Sequence, residues 1–545
     1  MRELRAGGDA IVLDFHGVAF SESETTSVAH ELRSAVLRGR LAPCDVVSSA
    51  QAILIEARPG SGLDELGVRR VVRRARRAFA ASHREPETAT DVGADAVIPT
   101  VYDGADLAEA AELVGVSPNH LAQAHARIIW RAQFLGFAPG FAYLVPHPAS
   151  PLRDVYLLAQ IARRPQSRPS VPAGSVAVAA GYGAIYPREG PGGWYLLGHT
   201  DAPLWEPSRR EPAMLAAGML VRFVAVDSAA THGPSAMQNH VDSGDPKMTD
   251  ADHRAISVTP ASLSVLSPGL LATIQDFGRP GLADMGVARS GAADLPALAL
   301  ANRLVGNPED AAGIEITLGG WSARTQRAVV LAVTGPAVDV FVDDVPVGSH
   351  ATIEVPAEAV VRVGTPSRGA RNYVAIRGGI LAPQELGSAS TDLLSHLGPR
   401  PLRAGDEIRL RSDELDWPTT QLAPVGSSPR VVELVAEVGP RDARLIDVDV
   451  LSEGHWQVTP ASNRVGVRLD RVGDAPLPEH RDLPGMLSEG VPLGGIQIPP
   501  SGQPVIFLAD HPVTGGYPVV AVLTTESLWL AAQLVAGDEV RLILR

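Results

Sequence analysis

The sequence predicts a mainly β protein with α/β content: a small N-terminal α/β sandwich followed by three related β-barrel lobes. Three observations lead there. Most of the chain is short Val/Ile/Leu-rich runs broken by Gly and Pro, which number 53 and 45 in 545 residues, the pattern of barrels and sandwiches. Near the N-terminus the pattern differs: "DAIVLDFH" is apolar and β-branched, while "SVAHELRSAVL" and "GVRRVVRRARRAF" space their apolar residues as helices do. Two repeats then tie the later blocks together.

The first repeat is "AAGMLVRF" (216–223), "RAGDEIRL" (403–410) and "VAGDEVRL" (535–542). Each reads as a tight turn, at Gly218, Gly405 and Gly537, feeding a strand that closes a barrel. The second pairs "VPAGSVAVAAGYGAIYPREGPGGWYLL" from Val171 with "VPLGGIQIPPSGQPVIFLADHPVTGGYPVV" from Val491. Gly183 and Gly502 are its turn glycines, and Gly192-Gly193-Trp194 matches Gly515-Gly516-Tyr517. The expected units are an α/β domain at 1–85, barrels at 94–228, 257–415 and 416–545, and a polar linker at 229–256. Met248 inside that linker reads either as the old initiator of a fused second polypeptide or as an ordinary linker residue.

Composition excludes several classes. The net charge is −14, which argues against binding a nucleic-acid backbone. The arginines of "VRRVVRRARR" read as the solvated face of a helix, with a partner surface as the alternative. Cys44 is the only cysteine, so neither a disulfide framework nor a thiolate zinc site is expected. No run of eighteen apolar residues and no signal-like h-region occurs, so a cytoplasmic protein without membrane spans is expected. Lys247 is the only lysine. It lies in the linker, outside any G-x-x-x-x-G-K-[ST] or biotin-attachment context, so neither a phosphate-loop lysine nor covalent biotin is expected on this chain.

Candidate chemistry clusters in a few segments. "VLSPGLLATIQDFGRPGLADMGVARSGAAD" is dense in glycine, letting backbone approach a ligand. There Arg279 and Arg289 could clamp an anion, and Asp276 or Asp294 could orient water or metal. In "SNRVGVRL", alternation would put Arg464 and Arg468 on one face. "LADHPVTGGYP" presents Asp510, His511 and Thr514, with Asp510 and His511 on opposite faces rather than forming a dyad. His125, His199 and His511 match no metal-ligand spacing and read as core or rim histidines. No nucleophile elbow is present.

"QFLGFAPGFAYL" (133–144) holds four aromatic rings between Phe134 and Tyr143, although Phe, Trp and Tyr number only 10, 7 and 8 in the chain. Two glycines and a proline unsuit it to a core strand, and the rings unsuit it to a surface loop.

These motifs resemble a known pair of families. "LGFAPGFAYL", "VPAGSVAVA" and "IYPREGPGGWYLLGHT" resemble allophanate hydrolase subunit 1, the family of Kip-type proteins and of the B component of bacterial 5-oxoprolinase. "SPGLLATIQDFGRPGLADMGVARSGAAD", "LGSASTDLL", "SNRVGVRL" and "LADHPVTGGYP" resemble subunit 2, the family of the C component of the same enzyme. The resemblance implies cyclophilin-like β-barrels and a fusion at the linker. Similar domains form the carboxyltransferase part of urea carboxylase. The chain departs from the pattern at Tyr182-Gly183, where the family carries Gln-Thr, and at His199, where it carries Arg. A buried polar partner left unpaired costs about 1–3 kcal/mol, so the departures bear on substrate choice.

The resemblance implies the fused B–C component of an ATP-dependent 5-oxoprolinase, an amide-bond hydrolase working with a LamB/YcsF-type protein, ATP and Mg. The alternatives are the carboxyltransferase component of a urea or amide carboxylase, with biotin on a separate carboxylase or carrier chain, and a Kip-type kinase-regulating protein. Asp276, Arg279 and Asp510 are the expected catalytic residues. Phe137, Gly140, Tyr143 and His199 from the first half are expected to bind a small amide or lactam. Arg464, Gln497, Thr514 and Tyr517 are expected to face them from the second. No metal ligands are expected.

Overall fold

The computed structural model describes residues 1–18, 21–82, 93–227, 262–411, 416–426, 429–483 and 485–545. The expected linker, with Lys247 and Met248, lies outside the described residues.

The N-terminal unit is a four-stranded antiparallel sheet, ordered Arg2–Arg5, Ala10–Asp14, Ala52–Glu56, Asp45–Ser48. Two helices, Ser21–Leu37 and Glu65–Ser82, cover one face. Val28, Leu32 and Ala35 of the first helix and Val68, Val72 and Ala75 of the second recur at helical spacing and are buried. Strand alternation sends Ile11, Leu13, Ile53 and Ile55 toward these helices. Val12, Val47 and Leu54 point the other way and bury against Val513, Val519 and Val522 of the last lobe. At about 1.5–3 kcal/mol for each buried aliphatic side chain, the contact joins the first residues of the chain firmly to the last. Arg70, Arg73, Arg74 and Arg77 lie on the solvent side of the second helix, in line with a solvated face.

The next sheet runs Tyr195–His199, Ser175–Ala179, Tyr182–Ile185, Ala142–Pro146, Trp130–Leu135, Leu220–Ala225, Ala96–Thr100. Its two ends meet through paired Val101 and His199, each backbone N–H donating to the other's carbonyl at 3.0 and 2.9 Å. Gly198 is required at that seam, because a Cβ there would stand 2.1 Å from the Val101 oxygen. The middle lobe divides into a seven-stranded and a five-stranded sheet sharing one apolar core, with Leu263 and Trp321 from one and Ile314 and Leu331 from the other. The last lobe is a closed seven-stranded barrel.

The three-fold repeat marks equivalent strands: Leu220–Ala225, Glu407–Leu410 and Glu539–Leu544. Gly218, Gly405 and Gly537 before them have φ of 98°, 88° and 93°, a region other residues rarely enter. In the second repeat Gly502 turns as expected, with φ 77°, but Gly183 does not. It sits inside the strand Tyr182–Ile185, and the turn is made by Gly181 at φ 81°. A Cβ on Gly183 would press on the Trp130 ring at 3.1 Å, so close packing explains that glycine.

Candidate functional site: an aromatic cavity where three lobes meet

The stretch Gln133–Leu144 is a strand, a tight loop and a second strand. The loop is one of the joints between the two halves of the chain. Phe137, at φ 64°, donates its backbone N–H to Thr514 Oγ1 at 2.8 Å, and Gly140 donates to the Met285 carbonyl at 2.9 Å. A Cβ on Gly136 would stand 2.5 Å from Thr514 Oγ1, so the glycine lets the halves touch. The aromatic rings then form a continuous wall. Phe134 stacks on Tyr143 with centroids 4.3 Å apart, and Tyr143 meets Trp194 edge to face at 5.9 Å. Tyr182 stands perpendicular to Tyr143 at 6.2 Å, and Phe141 packs behind at 5.1 Å.

This wall bounds a cavity of about 890 Å³. The N-terminal unit contributes Ala50, and the last barrel contributes Ser488, Arg444, Gly516 and Tyr517. Tyr143 points its hydroxyl to Ser488 Oγ at 3.5 Å, and burial raises its pKa, so it is a neutral donor. Arg163, also at the cavity, has no hydrogen bond or ion pair among the described residues. Arg481, by contrast, is tied to the Leu445 and Ile446 carbonyls at 2.7 and 3.0 Å. An apolar wall with a few polar groups and one uncommitted cation is a setting for a small, flat, anionic ligand.

The predicted site residues divide into two places. Tyr143 and Tyr517 line the cavity. Phe137, Gly140 and Thr514 build the joint behind its wall, and Gln497 donates to the Tyr517 carbonyl at 3.0 Å. His199 is at the barrel seam, its ring 2.7 Å from Asp103, and does not line the cavity.

The other four lie elsewhere: Arg464 and Asp510 tie the last lobe to the middle one, while Asp276 and Arg279 are held within the middle lobe. Arg464 holds Asp510 through Nε and Nη2, both at 2.9 Å, and reaches Glu315 at 2.5 Å and the Gly291 carbonyl at 2.6 Å. Asp510 also accepts from Ser290 Oγ at 2.7 Å. Asp276 accepts from Ser388 and Ser390 hydroxyls at 2.6 and 2.5 Å and from the Ala389 N–H at 2.7 Å. Arg279 donates to the Ser390 carbonyl at 2.5 Å. Arg464 and Arg468 do not share a face: Asn463 turns the chain through its side chain to the Val465 N–H at 2.8 Å, burying Arg464 and exposing Arg468. His511 is buried with both ring nitrogens at carbonyl oxygens, 2.9 and 3.1 Å away. His125 is buried against Trp130 and Phe223, and burial lowers its pKa to about 3. Among the described residues no three His, Cys, Asp or Glu side chains stand where they could hold a metal ion.

Sequence reasoning missed Arg163, Phe134 and Trp194 as cavity residues. Trp194 carried a signal, as part of the repeated Gly-Gly-aromatic, and so did Tyr182, as a departure from the resembled pattern. Arg163, in "IARRPQS", carried none.

Comparison with known proteins accords with this architecture. Residues 1–215 match the family described as carboxyltransferase domain, subdomain C and D, and residues 285–544 match subdomain A and B. The C component of the Haemophilus influenzae 5-oxoprolinase is 32% identical over 282 residues, 51% of this chain and 90% of that protein. The chain belongs to the carboxyltransferase-domain family. Within that family, the B component of the 5-oxoprolinase of Escherichia coli O157:H7 is 41% identical over 130 residues, covering 23% of this chain and 56% of the relative. Urea amidolyase of Lachancea kluyveri is 32% identical over 311 residues, 52% of this chain and only 17% of its own length. The crystal structure of TTHA0988 superposes with a TM-score of 0.79 at 30% identity, over 99% of this chain and 100% of that one. Parts resembling the B and C components are thus joined in one carboxyltransferase-domain chain, and the aromatic cavity lies between them.

Proposed function

We propose that this chain is the fused B–C component of an ATP-dependent 5-oxoprolinase, opening 5-oxoproline to glutamate with a LamB/YcsF-type partner. One observation carries the reading: the aromatic cavity between the B-like and C-like parts offers Arg163, which makes no hydrogen bond or ion pair among the described residues. A five-membered lactam is flat enough to lie on the Tyr182 and Trp194 rings. Its carboxylate meets Arg163 in a charge-assisted hydrogen bond, and its lactam oxygen faces the Tyr143 and Ser488 hydroxyls. The net change consumes two waters, one added across the lactam C–N bond as it opens and one taken up in the phosphate, and gives glutamate, ADP and phosphate; the Tyr143 and Ser488 hydroxyls stabilise the charge that develops on the lactam oxygen. The described residues do not fit a Mg²⁺–ATP site, having no acidic trio and no phosphate-loop lysine. We therefore assign nucleotide binding to the partner and derive no step through it. Arg464 and Asp510 act as positioning residues, holding the two C-like lobes in register so that Thr514 meets Phe137, and Asp276 and Arg279 order the middle-lobe segments around residues 385–390.

A second reading, carboxyl transfer to urea or a simple amide with biotin on another chain, is favoured by the family description and the urea amidolyase match. Urea is neutral, so this reading leaves Arg163 without a task. The deciding experiment mixes this chain with a LamB/YcsF-type partner and follows ADP and glutamate, with and without 5-oxoproline. The two products appearing together, and only with 5-oxoproline, are expected. ATP turnover indifferent to 5-oxoproline, with carboxylation of urea or acetamide beside a biotinylated partner, would replace the first reading by the second.

A further inference from the structure

The last barrel brings two groups able to take a proton to the aromatic cavity. Glu479 and His480 are the only carboxylate and the only imidazole among the described residues that line it. The backbone that carries them is fixed. His480 bridges Leu445 in antiparallel register, the Ile446 N–H donates to the Glu479 carbonyl at 2.9 Å, and the Arg481 N–H donates to the Arg444 carbonyl at 2.8 Å. The part-buried imidazole is held by one nitrogen, with Nε2 lying 3.1 Å from the Pro499 carbonyl oxygen. A carbonyl oxygen only accepts, so the proton of the neutral ring sits on Nε2 and Nδ1 keeps its lone pair. Nδ1 has no hydrogen-bond partner among the described residues. Glu479, by contrast, is exposed, and no hydrogen bond among the described residues orients its carboxylate.

Arg163 stands against the same part of the barrel. A Cβ on Gly516 would lie 3.5 Å from Arg163 Nη1. Two residues on, the Pro518 carbonyl accepts from the Ile498 N–H at 3.2 Å, and the residue after Ile498 is Pro499, which holds the His480 ring. Arg163 and His480 are thus linked through two paired segments of the barrel and open on one cavity. We infer that His480 is the general base of the lactam opening, a role that rests on the 5-oxoproline reading. The water that adds across the C–N bond gives its oxygen to the lactam carbon and one proton to Nδ1. The C–N bond breaks, its electron pair stays with the nitrogen, and Nδ1 returns the proton to that nitrogen as it becomes the amine of glutamate. The bond from Nε2–H to the Pro499 carbonyl keeps the ring from turning and stabilises the imidazolium that forms in between.

The test measures kcat and KM for glutamate formation by the full chain with its LamB/YcsF-type partner and ATP, in wild type, His480→Gln and His480→Ala. The Gln amide still has an N–H for the Pro499 carbonyl but offers no basic nitrogen. A positioned base contributes about 10²- to 10⁴-fold, so both variants should lose that much in kcat. KM should stay within about twofold, because the base acts in the transition state and not in binding. Added imidazole should restore part of the His480→Ala rate, with saturation. A purely structural role would leave His480→Gln active and His480→Ala unrelieved by imidazole, and either result would overturn the proposal. If His480→Ala fails to fold, His480→Gln decides. Wild-type protein that makes no glutamate would overturn the lactam reading and this role with it, whereas equal glutamate rates in wild type and His480→Gln would overturn this role alone.

Discussion

Replacing Arg464 by Met should unfasten the middle lobe from the last barrel. Its guanidinium is wholly buried and spends its donors on Asp510, Glu315 and the Gly291 carbonyl. Removing one partner of a buried ion pair typically costs about 3–5 kcal/mol, mostly by stranding the opposite charge. Two carboxylates would be stranded here, but neither completely. Asp510 keeps the Ser290 hydroxyl and the Leu393 N–H, at 2.7 and 3.1 Å. Glu315 keeps the Ala293 N–H at 3.0 Å, the Tyr373 hydroxyl at 2.9 Å and Arg371 at 3.5 Å. The loss therefore belongs at the lower end, about 3 kcal/mol, or roughly 6–12 °C in the melting temperature of lobes this size. Differential scanning calorimetry reads it, with exposed Arg468→Met as the control expected within about 0.5 kcal/mol of wild type. Equal melting of the two variants, or an Arg464→Met protein as stable as wild type, would refute the clamp and return Arg464 to a ligand role.

Gly136→Ala should push Thr514 from the joint, since the new methyl would stand 2.5 Å from both its Oγ1 and Cγ2. A loss of about 1–3 kcal/mol, partly relieved by Thr514→Ala in the same chain, is expected in urea unfolding; full additivity of the two changes would count against it. Glu56 is raised by burial from its usual 4.5 to about 7. The native state then holds a proton that the unfolded state has released, so stability falls as pH rises from about 4.5 to about 7. Glu56→Gln keeps the Leu493 N–H bond and should remove that slope, gaining on the order of 1–3 kcal/mol at pH 8; an unchanged pH profile of unfolding would contradict it. Tyr182→Gln brings in the residue of the resembled pattern and removes one ring of the wall. At about 0.5–1.5 kcal/mol for an aromatic contact, 5-oxoproline should bind roughly two- to tenfold more weakly, and unaltered affinity would place the ligand elsewhere.

Much of this architecture is legible in the sequence because it is local. Helical spacing marks the two N-terminal helices, and the Ala-Gly repeat marks three equivalent strands because each needs a residue at positive φ in its turn. What alternation could not tell is pairing: nothing in the runs from 263 to 410 says that they split between two sheets. Arg464 and Arg468 look equivalent until the Asn463 turn is seen. The candidate site was half legible for the same reason. The aromatic loop declares itself by composition, whereas its joint to Thr514 spans 377 residues. Arg163 is distinguished only by what surrounds it in space.

The central claim is that Arg163 receives the carboxylate of a lactam held on the aromatic wall. The direct measurement is kcat/KM for 5-oxoproline in the complex with the LamB/YcsF-type partner, for wild type, Arg163→Lys and Arg163→Ala. A charged hydrogen bond is worth about 1.5–3 kcal/mol, so Arg163→Ala should lose roughly 10- to 150-fold and Arg163→Lys should recover part of it. An Arg163→Ala enzyme with wild-type kcat/KM would contradict the account.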